Sequence, residues 1–240
     1  GGLLSLDDTL AELTPELADR IENAESITLR LLLQHRSGVP NFVDESGFRW
    51  ISPPKSTQEA LAFVLDKPAE FKPGRRYKYS NTNYVLIGEI LDRTLGYSHH
   101  QYVKEEILTP LGLYNTYSLM IEVDPDDVMS GYDAGSDDLD WKPVDYVSPG
   151  GSMIATAEDT GRFLRALIEG TLFTDEEQSI YSSVYEYEHT GLLPGYQSIA
   201  RYHEDIDAIV ILLTNVSGGD RWMRSEAIYR RIVRILRRDG

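Results

Sequence analysis

Residues 184–214, VYEYEHTGLLPGYQSIARYHEDIDAIVILLT, contain the pattern that decides the fold class. Three segments within them are rich in Val, Ile and Tyr and are separated by turn residues, a pattern typical of β-strands. These segments are residues 184–189, 196–202 and 208–214. The connections between them are short, which predicts three antiparallel strands in one sheet.

Helical patterns lie on both sides of these strands. Apolar residues at helical spacing predict a C-terminal helix over residues 220–237 and several helices before the strands. Three of these helices have both a start and an end signal: Ser26 or Thr28 to Gly38, Ser80 to Gly96, and Ser98 with Gln101 to Pro110. Two others have an N-terminal signal, Ser56 with Glu59 and Thr156 with Asp159. Residues 118–149 are rich in Asp, Gly and Pro and are predicted to be irregular.

Because the helices are grouped apart from the strands, the sequence predicts an α+β fold. We expect one domain over residues 1–240, with a mainly helical region over 1–149. Residues 150–240 would add a helix, three antiparallel strands and the C-terminal helix.

Composition excludes several classes of partner. The 240 residues include 39 acidic and 23 basic side chains, and the formal net charge is −16. Such a surface repels phosphate backbones, so no nucleic-acid partner is expected. Seven arginines between positions 221 and 238 are interpreted as the solvated face of the C-terminal helix rather than as a binding patch.

Cofactor and membrane signals are weak. The chain has no cysteine, which excludes disulfides and thiolate metal sites, and no His/Asp spacing suits zinc. We therefore expect no metal and no organic cofactor. No apolar run approaches the roughly 18 residues of a membrane helix. The chain begins Gly1-Gly2 without a signal segment, which leaves its compartment open.

Several short motifs follow one another in a fixed order. They are GLLSLDD (2–8), LLLQHRSG (31–38), Phe71-x-Pro73-Gly74 with Tyr79-Ser80-Asn81, Pro110-Leu111-Gly112-Leu113 with Thr116, Gly150-Gly151 with Thr156-Ala157 and Asp159, His189-Thr190-Gly191 with Pro194-Gly195-Tyr196, and Leu213-Thr214-Asn215. This series resembles the serine beta-lactamase-related family, which includes class C beta-lactamases, D-alanyl-D-alanine peptidases and family VIII esterases. The resemblance spans essentially the whole chain and implies a beta-lactamase/transpeptidase-like fold.

The resemblance implies catalytic roles for the Tyr-x-Asn segment. Acyl transfer by a serine needs a base, oxyanion donors and groups that align the substrate. Tyr79 would share proton transfer with a lysine, and Asn81 would hydrogen-bond the substrate carbonyl next to the scissile bond. The alternative roles are a buried aromatic residue for Tyr79 and a helix-start cap for Asn81.

The resemblance also implies a substrate-binding strand at His189-Thr190-Gly191. His189 stands where many relatives have a lysine, and a histidine is only fractionally charged near neutral pH. This favours neutral esters over substrates that carry a carboxylate. Thr190 and Gly191 would bind substrate, Gly191 by allowing close approach, and the backbone N–H of Leu192 would donate to the oxyanion.

Two other motifs are interpreted as structural. His35 and Ser37 lie close together, but we expect them to form a hydrogen-bonded helix end rather than a nucleophile and its base. Gly150 and Gly151 are interpreted as a tight turn, because no strand, Gly-rich loop and helix with lysine surround them.

The nucleophile is the main departure from the family pattern. In the family, Ser-x-x-Lys places both side chains on one helix face and lies upstream of the motifs above. The one Ser-x-x-Lys in this sequence is Ser52-Pro53-Pro54-Lys55, in the wrong order and with two prolines that favour a loop. We therefore expect a chain that lacks the nucleophile helix and the N-terminal strands, and that is inactive alone.

Three functional hypotheses follow. The first is part of a serine hydrolase that acts on a small-molecule or peptide ester, amide or beta-lactam through an acyl-enzyme. The second is a non-catalytic pseudoenzyme or a peptidoglycan- or ligand-binding module, and the third is a purely structural domain. In each case residues 208–214 would form an apolar sheet edge, which predicts a homodimer or pairing with a missing N-terminal segment.

Overall fold

The computed structural model describes residues 2–134, 153–185 and 188–239. The α-helices in these ranges are α1 (Leu10–Leu13), α2 (Leu29–Leu33), α3 (Thr57–Leu61), α4 (Asn81–Leu95), α5 (His99–Tyr102), α6 (Ala157–Ile168), α7 (Asp175–Ser182) and α8 (Arg221–Asp239). The strands are β1 (Thr116–Tyr117), β2 (Tyr132–Asp133), β3 (Ile154–Ala155), β4 (Glu188–Leu193), β5 (Tyr196–His203), β6 (Ala208–Thr214) and β7 (Val216–Ser217). None of the described helices has the length and apolar character that a membrane span requires.

The chain divides into two units. The first comprises Gly1–Val103 and Val144–Ser152, of which residues 2–103 are described. The second comprises Lys104–Pro143 and Met153–Gly240. The interpretation of residues 1–240 as one partial domain stays a prediction.

Helix α4 lies at the centre of the first unit. Its apolar residues Val85, Leu86 and Ile90 are fully buried and pack in one core with Leu10 and Leu32. The helix ends where Gly96 adopts a positive φ of 76°, a conformation that glycine takes without steric cost. The predicted limits, Ser80 and Gly96, are therefore confirmed.

The helix before α4 is shorter than the sequence predicts. Thr28, rather than Ser26, caps α2 by accepting a hydrogen bond from the Leu31 N–H at 3.3 Å. The prediction that this helix stops at Gly38 is wrong, because it ends at Leu33 and His35 adopts a left-handed φ of 54°. A residue in that region of backbone space cannot continue a right-handed helix.

The other helix starts agree with their capping residues. Ser56 accepts a hydrogen bond from the Glu59 N–H at 3.1 Å, and Thr156 accepts one from the Asp159 N–H at 3.1 Å. Ser98 caps α5 through the His100 N–H at 3.2 Å. Helix α5 itself is only four residues long and is followed by a π-helical turn over Val103–Leu108.

The second unit contains the predicted antiparallel sheet, in the order β4-β5-β6. The first strand was placed wrongly, since β4 covers Glu188–Leu193 rather than residues 184–189. Val184 and Tyr185 instead follow the end of α7, where their N–H groups both donate to the Tyr181 carbonyl. Strand β4 continues to the Pro194-Gly195 turn because each of its six residues pairs with β5.

The two faces of this sheet are covered by different helices. Ile199 and Val210 are buried against Tyr229 and Val233 of α8. On the other face, Gly161 of α6 lies close to the Ile211 side chain. Within the described residues, β4 and β6 are the edges of the sheet.

Candidate active site

Tyr79 lies in an extended segment directly before α4, and this segment is held on both sides. The Lys78 N–H donates to the His35 carbonyl at 2.9 Å, and the Ser80 N–H donates to His35 Nδ1 at 3.2 Å. Earlier in the same segment, the Gly74 N–H donates to the Arg36 carbonyl at 2.9 Å. The backbone around Tyr79 is therefore anchored to the end of α2, while the phenol itself remains 46% exposed.

The surroundings of the Tyr79 phenol favour its neutral form. Its ring stacks on the His35 imidazole, with centroids 4.2 Å apart and an interplanar angle of 29°. Partial burial raises the pKa of the Tyr79 phenol, and the neighbouring Tyr77 adds to that increase. A tyrosine acts as a base near neutral pH only when a cation lowers its pKa, so these contacts alone do not prepare Tyr79 for that role.

Asn81 is the first residue of α4, and Ser80 occupies the cap position. The Asn81 N–H and Nδ2 both donate to Oδ1 of the buried Asn41, at 2.9 and 3.2 Å. Asn81 is thus not a helix-start cap, because it lies one position inside the helix and its side-chain amide donates to Asn41. A side-chain amide has two hydrogens, and the bond to Asn41 engages one of them.

Asn41 is a site residue that the sequence did not identify. It positions Asn81 across 40 positions of the chain, and the contact depends on how the segment after α2 folds back onto the start of α4. Nothing in the local pattern around Asn41 distinguishes it from an ordinary turn residue.

The predicted residues of the second unit all lie on β4. His189 is opposite Ala200, Thr190 opposite Ile199, Gly191 opposite Ser198 and Leu192 opposite Gln197. Successive residues of a strand point to opposite faces, so His189 and Gly191 share one face and Thr190 and Leu192 share the other. His189 therefore lies inside an edge strand, not at a strand end as the sequence suggested.

The electrostatics of His189 favour a neutral imidazole. Partial burial lowers the pKa of the His189 side chain from its ordinary value, and no other cause contributes. At neutral pH the ring is therefore mostly uncharged and attracts a carboxylate only weakly.

Gly191 is constrained by its neighbour across the sheet. A Cβ atom at this position would lie 2.4 Å from Ser198 Oγ on β5. Any larger residue would force the Ser198 side chain to rotate or the strands to shift. The glycine thus has a structural reason of its own, beside the close substrate approach that the motif suggests.

A family model describing beta-lactamases matches residues 1–183, which is most of the chain. The chain belongs to the beta-lactamase family. The family resemblance and the α+β, beta-lactamase/transpeptidase-like fold predicted from the motifs are therefore confirmed.

Individual relatives agree with this family assignment. The Bacillus subtilis protein PbpX, named as a candidate penicillin-binding protein, is 25% identical over 239 aligned positions that cover 91% of this chain and 57% of PbpX. The chain thus spans little more than half the length of this curated relative, and 21% and 28% of two others.

Solved structures show the same fold. D-amino acid amidase from Ochrobactrum anthropi SV3, complexed with D-phenylalanine, superposes with a TM-score of 0.80 at 24% identity, over 96% of this chain and 84% of the amidase. An octameric penicillin-binding protein homologue from Pyrococcus abyssi has a TM-score of 0.74 at 25% identity, over 89% and 57% of the two chains.

The Ser-x-x-Lys of this family member does not have the geometry of the family's nucleophile motif. Ser52 and Lys55 are both exposed and lie in a turn before α3 rather than on a helix. The Lys55 N–H donates to Glu59 Oε2 at 2.8 Å, as expected for a residue that leads into the capped helix. Side chains three apart share a face only in a helix, so Ser52 and Lys55 are not paired in that way.

The structure brings the predicted residues together in two groups. Tyr79 and Asn81 lie at the start of α4 in one unit, and the four β4 residues lie in the other. The Gly150-Gly151 turn lies outside the described residues, as do residues 135–149 of the predicted irregular segment. In the described part of the chain, no three His, Asp or Glu side chains are grouped as a metal site would require.

Proposed function

We propose that this chain is the substrate-binding part of a serine hydrolase that works through a covalent acyl-enzyme. The observation that carries the proposal is the arrangement of Tyr79 and Asn81. Both occur in the family's Tyr-x-Asn order, and both are held by buried polar side chains at the start of α4. In this role Tyr79 takes part in proton transfer, and Asn81 hydrogen-bonds the substrate carbonyl.

We also assign substrate-binding roles to strand β4. An edge strand carries backbone N–H groups that do not pair within its sheet, and such groups are suitable oxyanion donors. We assign this donor to Leu192, whose side chain is exposed. Thr190 and Gly191 would align the substrate along the strand, and His189 would face its polar end.

The acylated serine, in this proposal, is not among residues 1–240. Ser52 has no helical partner lysine, and the raised pKa of Tyr79 indicates that the described residues alone do not activate a base. A serine and lysine supplied by another segment would bring both the nucleophile and the cation that Tyr79 needs.

The substrate class we favour is a neutral ester or amide. The depressed pKa of His189 means that β4 offers little positive charge to a substrate carboxylate. The structurally similar protein from Ochrobactrum anthropi is named as a D-amino acid amidase, and an amide substrate agrees with this class.

Hydrolysis assays test the proposal directly. The 240-residue chain and the product of the complete gene are each tested with nitrocefin and p-nitrophenyl acetate. We expect turnover only from a polypeptide that contains an additional Ser-x-x-Lys, and we expect Tyr79→Phe to abolish it. Turnover by the 240-residue chain that disappears in Ser52→Ala would refute the assignment of the nucleophile, and full activity of Tyr79→Phe would refute the role of Tyr79.

A non-catalytic binding module is the second candidate. The raised pKa of Tyr79 favours it, because a neutral phenol can bind a ligand without accepting a proton. If the product of the complete gene binds a labelled penicillin reversibly and turns over neither substrate, this candidate replaces the hydrolase.

We also propose that the edge strand β6 pairs with a strand from a second copy or from a preceding segment. Its residues 209–213 are all apolar, and Ile209 and Ile211 line an open groove of about 690 Å³ together with α6. An unpaired apolar edge recruits other strands, and a related penicillin-binding protein homologue is octameric. Light scattering of the 240-residue chain should show self-association, and a stable monomer that exposes this edge would contradict the idea.

A further inference from the structure

His35 lies in the left-handed region of backbone space, with a φ of 54°. Among the described residues, four other than glycine have a positive φ in the left-handed region: Asn23, His35, Asp66 and Asp207. Three of them are Asn or Asp, whose short polar side chains tolerate this region best. Histidine is enriched in this region as well, and a left-handed residue keeps its conformation where surrounding contacts hold it in place.

The contacts of His35 are directed at Tyr79. Its carbonyl accepts the Lys78 N–H and its Nδ1 accepts the Ser80 N–H, so one residue holds the peptide units on both sides of Tyr79. The imidazole also stacks on the Tyr79 phenol at 4.2 Å. Backbone position and ring orientation of Tyr79 are therefore both set by one buried residue, through its carbonyl and its imidazole.

A buried hydrogen-bond chain fixes the protonation of this imidazole. The Val39 N–H donates to Ser37 Oγ, and the Ser37 hydroxyl donates to Asn83 Oδ1 at 2.6 Å. This turns the Asn83 amide nitrogen toward His35 Nδ1, with a long contact of 3.4 Å. Since the Ser80 N–H can only donate, Nδ1 must carry a lone pair, and the ring hydrogen lies on Nε2.

We propose that His35 is a positioning residue for the reaction, which acts by holding the Tyr79 phenol in the orientation required for proton transfer. The proposal rests on the proposed function, because it needs Tyr79 to be the catalytic phenol. It extends the earlier expectation that His35 and Ser37 only close a helix end. The neutral imidazole provides a flat surface for the phenol without adding a charge beside it.

Two substitutions separate the effect of the stacked His35 ring from the effect of its Nδ1 hydrogen-bond acceptor. His35→Asn tolerates the left-handed backbone and keeps an oxygen near the position of Nδ1, but it removes the stacked ring. Tyr84→Phe is the matched control, because the Tyr84 ring also packs near the imidazole, at 5.3 Å, and the substitution keeps that ring and removes only the hydroxyl and its long 3.4 Å bond to the Leu33 carbonyl. Both variants are made in the product of the complete gene, and folding is checked by thermal denaturation.

Kinetics then distinguish positioning from a structural role. Misplacement of a catalytic group costs about 10- to 100-fold in rate, so kcat of His35→Asn should fall by that factor with KM little changed. The pH profile assigned to Tyr79 should shift as well, whereas Tyr84→Phe should match the wild type. A fully folded His35→Asn with wild-type kcat and pH profile overturns the proposal, provided that Tyr79→Phe is inactive. If Tyr79→Phe is active, the proposed function and this inference both fail.

A spectroscopic measurement on the 240-residue chain needs no activity. In tyrosine-labelled protein, the Tyr79 ring signals, assigned with Tyr79→Phe, should show a ring-current shift that His35→Asn removes and Tyr84→Phe preserves. If His35→Asn does not fold, the imidazole ¹⁵N chemical shifts of the wild type still test the proposal, because they report the tautomer of His35. We expect the Nε2–H tautomer at neutral pH, and a protonated ring or an Nδ1–H tautomer overturns the proposal.

Discussion

The Tyr79 segment and strand β4 carry the predicted site residues in different ways. Around Tyr79 the supports are buried polar side chains, with His35, Asn41 and Asn83 all nearly or fully inaccessible. On β4 the support is the ladder of backbone hydrogen bonds to β5. The side chains of His189 and Thr190 remain largely accessible to solvent, although neighbouring atoms partly desolvate the His189 ring. The comparison indicates that the Tyr79 segment is fixed by a specific network of side chains, whereas the candidate residues of β4 are fixed by backbone strand pairing.

The two regions share one electrostatic property. Burial raises the pKa of Tyr79 and lowers the pKa of His189, so both groups are pushed toward their uncharged forms. These two side chains therefore offer shape and hydrogen-bonding groups rather than charge.

Disrupting the buried network should have the largest effect. Asn83→Ala removes the acceptor of the Ser37 hydroxyl and a contact to His35, which leaves buried polar groups without partners. We expect a loss of about 2–4 kcal/mol in the free energy of unfolding. Thr190→Ala on the exposed strand is the control and should change it by less than about 0.5 kcal/mol. Urea titrations measure both, and equal losses would contradict the contrast between the two regions.

A fixed charge on β4 should alter substrate preference. His189→Lys places a permanent cation where the wild type has a mostly neutral ring. In the product of the complete gene, we expect kcat/KM for nitrocefin, which carries a carboxylate, to rise about tenfold relative to p-nitrophenyl acetate. An unchanged ratio would indicate that His189 does not face the substrate.

Crowding on β4 should have a moderate effect on stability. Gly191→Ala places a Cβ 2.4 Å from Ser198 Oγ, and because this hydroxyl can rotate away, we expect a loss of about 1 kcal/mol at most in the free energy of unfolding. Adding Ser198→Ala removes the clashing oxygen and should restore most of the loss. A double-mutant cycle measures this coupling, and strictly additive effects would show that the close contact is not the cause.

The pH dependence of His189 should be the smallest effect. Because its folded-state pKa lies below the ordinary value, the unfolded chain binds the proton more readily. Above the ordinary histidine pKa of about 6.5, the ring is neutral in both the folded and the unfolded chain and does not change the free energy of unfolding. As the pH falls below that value, the unfolded chain takes up the proton first, and the free energy of unfolding decreases. Melting temperatures of wild type and His189→Gln should converge at higher pH and separate on acidification. A ring that titrates by NMR above the ordinary value would reverse this prediction.

Strong local signals in the sequence determined much of the fold. Capping residues such as Ser56 and Thr156, and the Gly96 stop of α4, were located correctly, because hydrogen bonds within one turn decide them. The order of the motifs identified the family, and the α+β class followed from the grouping of helices and strands. The arrangement of Tyr79 and Asn81 at the start of α4 also followed from their spacing.

Tertiary contacts decided the rest. The early end of α2 at His35, the Asn41 contact to Asn81 and the register that carries β4 to Leu193 each join residues distant in the chain or opposed across the sheet. Hydrogen bonds of this kind leave no local pattern, because the partner is chosen by how the chain folds back on itself. The sequence by itself named candidate residues such as Tyr79 and Asn81, and only the folded structure showed which residues, Asn41 among them, hold these side chains in place.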